Sequence, residues 1–174
     1  NNGTTLDFIQ TEEGKAVPNG TDYNYTYYMG DNLGNTRVTF ETRTGVAAAI
    51  QADDYSPFGM EISNTLASPK NEYLYNKKEL QEELGQYDYG ARFYDSAIGR
   101  FNTIDNYAEK YDGLTPYQYG GLNPINTIDM NGDSIKIKWK NELITYEDGK
   151  LYGADGKEYR GKGAKIDKKT GKVV

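Results

Sequence analysis

Apolar and polar residues alternate along most of the chain with the two-residue period of β-strands, and the longer period of an amphipathic helix is rare. In the first third, segments 23–29, 36–42 and 47–55 show this alternation. Residues that favour turns follow them at 31–35, 44–45 and 56–59. Strand and turn segments that recur at this spacing are typical of antiparallel sheets, so we predict an all-β fold.

The clearest alternation lies at 86–94, where Tyr87, Tyr89, Ala91 and Phe93 would share one face of a single strand. Only 77–84 favours a helix, because it is rich in good helix formers and Gly85 follows it.

The last part of the chain has a different pattern. Ile135, Ile137 and Trp139 alternate with polar residues, which predicts a short strand, and Asp-Gly pairs at 148–149 and 155–156 predict hairpins. Between 95 and 133 the chain is dense in loop-forming residues, which favours an irregular plug. We therefore predict a leader at 1–22 that is irregular or a strand of an upstream sheet, a core at 23–133 and a basic extension at 134–174 with small β-hairpins.

Two residue types are absent from the 174 residues, which contain no histidine and no cysteine. Their absence excludes a Ser-His-Asp triad, a thiol nucleophile and a zinc site with cysteine or histidine ligands. Any catalysis must therefore use carboxylates, lysine, tyrosine or hydroxyl groups. The 26 acidic residues are the richest of these sources, and we expect no cofactor.

Charge is divided unevenly along the chain, whose net charge is −6. Residues 1–133 carry a net charge of −11 and residues 134–174 a net charge of +5. Glycines and acids interrupt the lysines of the basic segment, so we do not expect it to bind nucleic acid. No apolar stretch approaches the roughly 20 residues of a membrane-spanning helix.

Four motifs resemble the RHS repeat-associated core of RHS/YD-repeat proteins, which occurs in polymorphic toxins and in the C components of Tc toxins. The most specific is Leu84-Gly85-Gln86-Tyr87-Asp88-Tyr89-Gly90-Ala91-Arg92-Phe93-Tyr94-Asp95, followed by Ile98-Gly99-Arg100-Phe101. The others are Tyr27-Tyr28-Met29-Gly30-Asp31-Asn32-Leu33-Gly34-Asn35-Thr36-Arg37, Asp54-Tyr55-Ser56-Pro57-Phe58-Gly59 and the segment 105–133. Together they cover about residues 23–133.

The resemblance implies a sheet that spirals into a hollow shell and a C-terminal segment that curls inward to plug one end. Such a shell encloses or displays polypeptide at the cell surface or during export, so we expect a secreted or surface-associated protein. The implied partners are an upstream RHS shell of the same parent protein or a partner protein, with C-terminal polypeptide as cargo.

In many family members the plug is an aspartyl protease that cuts its own chain just after the core. The positions that match the two family aspartates are Asp105 and Asp129, and the matching cleavage region is Gly132, Asp133 and Ser134. Two close carboxylates that share a proton can activate water and protonate the leaving amide.

The sequence departs from the family pattern beside both acids, because Asn106 and Met130 stand where the family has proline, and Ile104 stands where some self-cleaving members have arginine. Asp105 and Asp129 can also be read as turn formers that cap their own backbone.

The remaining motif residues favour structural roles. We interpret Arg92 and Arg100 as internal ion-pair or cation–π partners, and Tyr87, Tyr89, Gly90 and Tyr94 as parts of the sheet. The spacing of acids at 129–133 does not fit a calcium loop, so no metal site is predicted.

A second class of function stays open. Exposed tyrosines in a row would suit a surface binding module, adhesin-like, for saccharide or protein, without catalysis. Burial of the rings would favour the shell.

Overall fold

The structure is a computed structural model that describes residues 6–42, 45–63, 70–111, 113–139, 142–147 and 150–159. Its strands pair only antiparallel in these ranges, which confirms the predicted all-β class. The helices within the described ranges are three short 3₁₀ turns, at Tyr75–Lys77, Ala108–Lys110 and Gly120–Leu122. None of them has the length and apolar character needed to cross a membrane.

The chain divides into two compact units. The N-terminal unit comprises residues 1–56 and 60–79, and the C-terminal unit comprises 57–59 and 80–174. The N-terminal unit contains one six-stranded meander in the order β1–β2–β3–β4–β5–β6. Its strands are β1 Ile9–Gln10, β2 Gly14–Asn19, β3 Asp22–Gly30, β4 Thr36–Glu41, β5 Ala48–Tyr55 and β6 Glu61–Ser63. Segment 1–22 thus supplies β2, which pairs with β3 along its whole length.

One face of this meander buries polar side chains. Thr39 pairs with Gln51 across β4 and β5, and Asp53 follows two residues later on the same face. Asn71 lies against them: its backbone N–H donates to Gln51 Oε1 at 2.7 Å, and its Nδ2 donates to the carbonyl oxygen of Tyr73 at 3.0 Å. Buried polar groups are tolerated when they are hydrogen-bonded, and this layer satisfies most of its donors and acceptors internally.

The C-terminal unit contains two four-stranded sheets. One has the order β10–β9–β8–β7 and the other β11–β12–β13–β14. The strands are β7 Glu79–Gln81, β8 Gln86–Asp88, β9 Phe93–Asp95, β10 Arg100–Phe101, β11 Thr127–Asp129, β12 Ile135–Trp139, β13 Glu142–Glu147 and β14 Lys150–Tyr152. The second sheet includes the predicted C-terminal hairpins, with Ile137, Ile144 and Leu151 as its small core. The Asp-Gly pair at 148–149 and the segment 160–174 lie outside the described residues.

Aromatic rings form the core of the first of these sheets. Tyr94 and Tyr119 have ring centroids 4.3 Å apart, and Tyr89 meets Tyr94, Phe101 and Tyr119 edge-on at 5.5–5.7 Å. The Tyr89 hydroxyl lies 3.2 Å from that of Tyr119, within hydrogen-bond distance. These rings therefore combine apolar burial with satisfied hydroxyl groups.

Two local predictions are wrong. Segment 77–84 is not a helix, because Asn76 and Lys77 have positive φ angles and Tyr73 pairs with Glu79, so the chain folds back into β7. Segment 86–94 is not a single strand either. A turn at 89–92 divides it into β8 and β9, and the hairpin pairs Tyr87 with Tyr94 on the buried face while Phe93 is 40% exposed.

Candidate functional site

The candidate site is built around Arg92, which the turn between β8 and β9 carries into the C-terminal unit. Gly90 has φ +92°, a conformation that glycine adopts readily, and its N–H donates to Asp88 Oδ1 at 2.7 Å. The N–H of Tyr89 donates to the carbonyl oxygen of Arg92 at 3.1 Å and closes the turn. The motif therefore forms a tight turn whose arginine side chain is buried.

The Arg92 guanidinium reaches both predicted aspartates. Its Nη2 lies 2.7 Å from Asp105 Oδ2 and 3.8 Å from Asp129 Oδ2. Its Nη1 donates to the carbonyl oxygen of Pro116 at 3.1 Å, and its Nε donates to the carbonyl oxygen of Gly132. One buried cation thus contacts three separate segments of the chain, at 105, 116 and 129–132.

A ring completes the surroundings of Arg92. The guanidinium carbon lies 3.8 Å from the centroid of Phe101, which is a cation–π geometry. Arg100, by contrast, is exposed on β10. The motif's two arginines therefore differ in burial.

Asp129 ends β11 and accepts hydrogen bonds from the loop that follows it. Its Oδ1 receives the backbone N–H groups of Asn131 at 3.2 Å, Gly132 at 2.5 Å, Asp133 at 3.1 Å and Ser134 at 3.5 Å. Its Oδ2 is buried and accepts no hydrogen bond from the residues that the structure describes. Burial raises the pKa of the Asp129 carboxyl to about 6, although the Gly132 N–H and the Arg92 charge oppose this change.

Asp105 occupies a different position in the same cluster. Its Oδ1 accepts the N–H of Tyr107 at 2.8 Å, and its own N–H donates to the carbonyl oxygen of Pro116 at 3.0 Å. The first contact is an Asx turn, as the turn-former interpretation expects. Its other oxygen forms the ion pair with Arg92, so Asp105 both caps a turn and pairs with the arginine.

The predicted cleavage region forms the loop between β11 and β12. Gly132 is buried with φ +80°, and a Cβ atom there would lie 3.1 Å from both Arg92 N and Tyr89 Cβ. The N–H of Ala91 donates to the carbonyl oxygen of Asn131 at 3.0 Å. The turn at 89–92 therefore holds both carbonyl groups that precede Asp133, whereas Asp133 and Ser134 are only half-buried.

Sequence reasoning missed Tyr111 as part of this neighbourhood. Its hydroxyl oxygen accepts the N–H of Ile135 at 3.3 Å, immediately after the loop, and burial raises the pKa of its phenol. Nothing in the sequence distinguishes this ring from the other tyrosines among the 17. The role of the Pro116 carbonyl was missed too, because a backbone acceptor leaves no compositional signal.

The remaining predicted residues lie beside the cluster. Tyr87, Tyr89 and Tyr94 are buried in the aromatic core, and the Tyr87 and Tyr94 hydroxyls donate to the carbonyl oxygens of Gly59 and Phe58. No group of three or more metal-ligating side chains occurs among the described residues. In chemical terms the cluster offers two carboxylates, one guanidinium and two peptide carbonyls that the guanidinium contacts, those of Pro116 and Gly132.

Comparison with known proteins gives one sequence relative. The chain is 37% identical over 113 residues to salivary gland surface protein 1 of Aedes aegypti, a match that spans 63% of this chain and 3% of that protein. No family model matches the chain.

Solved structures share the fold. A crystal structure of TcdB2–TccC3 superposes with a TM-score of 0.60 at 23% identity, over 72% of this chain and 6% of that one. A TcdB2–TccC3 structure without its hypervariable C-terminal region gives a TM-score of 0.59 over the same shares. These neighbours are RHS-containing Tc toxin complexes. The chain thus spans a small part of each protein it matches and adopts the fold found in RHS-containing toxin structures.

Proposed function

We propose that the chain is a wall and closing segment of an RHS-type β-shell, which encloses or displays polypeptide in a secreted or surface-associated protein. The fold shared with TcdB2–TccC3 supports the shell architecture. The proposed partners are an upstream shell of the same parent protein or a separate shell protein, and the proposed cargo is polypeptide that follows the core.

The observation that carries this proposal is the exposed aromatic face of β3. Tyr23, Tyr25 and Met29 project from alternate positions of the strand and are exposed, and Tyr27 between them stacks on Phe40 with ring centroids 5.3 Å apart. Rows of large exposed side chains on a sheet commonly mark a surface that contacts another polypeptide. In a shell, such a face would contact neighbouring strands or cargo.

Tyrosine nitration tests this proposal. In the isolated chain, Tyr23 and Tyr25 should react, whereas Tyr89 and Tyr94 serve as buried controls. In the full-length parent protein, we expect Tyr23 and Tyr25 to be protected and the controls to stay unreactive. Equal nitration of Tyr25 in the isolated chain and in the parent protein would count against a covered face.

Aspartyl self-cleavage after the core is a second candidate function. It is favoured by the convergence of Asp105, Asp129 and the Gly132 carbonyl on one guanidinium. Intact mass measured over a long incubation tests it, with Asp129→Asn as the inactive variant and Asp95→Asn as a control outside the cluster. A wild-type chain that keeps its full mass contradicts self-cleavage and leaves the shell proposal untouched.

The same exposed row also suits a surface binding module for saccharide or protein, because exposed rings can stack on sugars. Titration of oligosaccharides into the chain distinguishes this alternative. Binding that Tyr25→Ala abolishes and Tyr117→Ala retains would favour the module over the shell.

A further inference from the structure

The two acids of the candidate site are not equivalent, because Arg92 lies between them. Asp105 Oδ2 is within hydrogen-bond distance of the guanidinium at 2.7 Å, whereas Asp129 Oδ2 lies at 3.8 Å and accepts no hydrogen bond from the described residues. The charge-assisted hydrogen bond from Arg92 to Asp105 holds the arginine in place. The second oxygen is thus a buried carboxylate oxygen without a hydrogen-bond donor among the described residues.

Two neighbouring peptide bonds of the loop, Asn131–Gly132 and Gly132–Asp133, also differ in the groups that contact them. The Asn131 carbonyl accepts a neutral backbone N–H, that of Ala91, at 3.0 Å. The Gly132 carbonyl accepts the charged Nε of Arg92, and the nitrogen on its other side, that of Asp133, lies 3.1 Å from Asp129 Oδ1. Among the described contacts of the loop, only the Gly132–Asp133 peptide bond has a cation at its oxygen and a carboxylate at its nitrogen.

We infer that Arg92 is a catalytic residue of the self-cleavage proposed above, that it polarises the Gly132 carbonyl, and that the bond cut is Gly132–Asp133. This inference rests on that proposed activity. A preorganised cation at a carbonyl oxygen stabilises the negative charge that develops in the tetrahedral intermediate. Asp105 then acts as a positioning residue, because it touches the guanidinium and not the reacting bond.

In the proposed reaction Asp129 alone accepts and then donates the proton. Its carboxylate takes a proton from water, whose oxygen bonds to the Gly132 carbonyl carbon. The same carboxyl group then gives that proton to the Asp133 nitrogen as the carbon–nitrogen bond breaks. The products are a carboxylic acid at Gly132, which keeps the second proton of the water, and a neutral amine at Asp133, and Asp129 returns to its initial carboxylate state. The new acid and amine then exchange protons with solvent.

The test measures the rate and position of cleavage in the full chain by denaturing gel and intact mass. Denaturation is needed because β11 pairs with β12 across the cut, which would keep the fragments together. We expect a single cut at Gly132–Asp133. Arg92→Lys should slow it by roughly 100-fold, the usual cost of removing one donor to an oxyanion, and Arg100→Lys on β10 should match wild type.

The pH profile separates catalysis from a structural role. The wild-type rate should fall as the pH drops below about 6, because Asp129 must be ionised to accept a proton. The Arg92 charge lowers the pKa of Asp129, so the midpoint should move to higher pH in Arg92→Gln, which removes that charge, and stay in place in Arg100→Gln.

The remaining outcomes separately test the role of Arg92, the assignment of the bond and self-cleavage itself. Folded Arg92→Lys protein, judged by its near-ultraviolet tyrosine signal, that cuts at the wild-type rate overturns the role of Arg92 and leaves self-cleavage standing. A wild-type cut at another bond overturns the assignment even if the variant does not fold. An intact wild-type chain overturns both the inference and the self-cleavage on which it rests.

Discussion

The two units use tyrosine differently: one packs tyrosine rings into an aromatic core, and the other exposes Tyr23 and Tyr25 on one strand. The C-terminal unit places Tyr94 and Tyr119 at 0% exposure in an aromatic cluster. The N-terminal unit leaves Tyr25 at 48% exposure and buries Thr39, Gln51 and Asp53 on the other face of its sheet. The same composition, rich in tyrosine, thus produces an apolar core in one unit and an exposed aromatic face in the other.

The contrast shows how each unit is held together. Ring packing in the C-terminal unit provides apolar burial, and the buried Arg92 cation is paired and stacked. The N-terminal unit depends more on hydrogen bonds, which contribute little net stability each but cost much when one partner is lost. Substitutions should therefore affect the two units through different mechanisms.

The largest difference is expected from tyrosine truncation. Tyr94→Ala removes a fully buried ring in contact with Tyr89, Phe101 and Tyr119, and should reduce the free energy of unfolding by about 3–5 kcal/mol. Tyr25→Ala on the exposed face should change it by at most about 0.5 kcal/mol. Chemical denaturation of the two variants measures both values, and similar losses would refute the contrast between the units.

Glycine substitution tests how tightly the candidate site is packed. Gly132→Ala places a methyl group 3.1 Å from Arg92 N at φ +80°, whereas Gly156→Ala, at φ +73°, meets no atom within 4 Å. Both variants carry the left-handed backbone cost of about 1–2 kcal/mol. Crowding should add about 1–3 kcal/mol for Gly132 alone. Equal decreases in melting temperature for the two variants would mean that the loop around Gly132 accommodates the methyl group at no additional cost in free energy.

The sequence predicted the fold class and most strands, because strands with one buried face leave a two-residue period. It failed at 86–94, where Gly90 forms a turn inside a segment that alternates perfectly. That turn also carries Arg92 into the interior, whereas Arg100 on β10 is exposed. Propensity favoured a helix at 77–84, but tertiary pairing of Tyr73 with Glu79 outweighed it.

The positions of the two acids came from the motif resemblance and not from any pattern of polarity. Their connection through a single guanidinium could not be predicted, since it depends on contacts of Arg92 with residues 13 and 37 positions away in the chain. Tyr111 was missed for the same reason. Local patterns define strands, whereas the site is formed by long-range contacts between loops.

A smaller effect is expected from the buried acid of the N-terminal unit. The pKa of Asp53 is raised from 3.8 to about 6, mainly by burial and to a smaller extent by the neighbouring Glu61, while the hydrogen bond from Gln51 and the charge of Lys70 oppose the change. The folded state therefore binds this proton more tightly than the unfolded state, so this group adds stability as the pH falls through about 6 and costs stability above it.

Asp53→Asn should remove that dependence. We expect the variant to be more stable than wild type by about 1 kcal/mol near pH 7, since it no longer buries a charge, and the difference to vanish near pH 4. Denaturation curves at several pH values measure this. Asp54→Asn, the exposed neighbour on the same strand, is the control and should follow the wild-type pH dependence. If the free energy of unfolding depends on pH in the same way in wild type, Asp53→Asn and Asp54→Asn, Asp53 is not a buried titrating group.

The smallest effect concerns the exposed ion pair of the N-terminal unit, between Arg37 and Asp54. Both side chains are substantially exposed, and such pairs contribute roughly 0.2–1 kcal/mol, which salt reduces further. A double-mutant cycle with Arg37→Gln and Asp54→Asn should give a coupling energy in that range at low salt and close to zero at high salt. The buried pair of Arg92 and Asp105 should keep its coupling as salt rises, because the surrounding protein excludes the screening ions. Coupling at Arg37–Asp54 that is large and insensitive to salt would mean that the exposed face of this unit is less accessible to solvent than its side chains indicate.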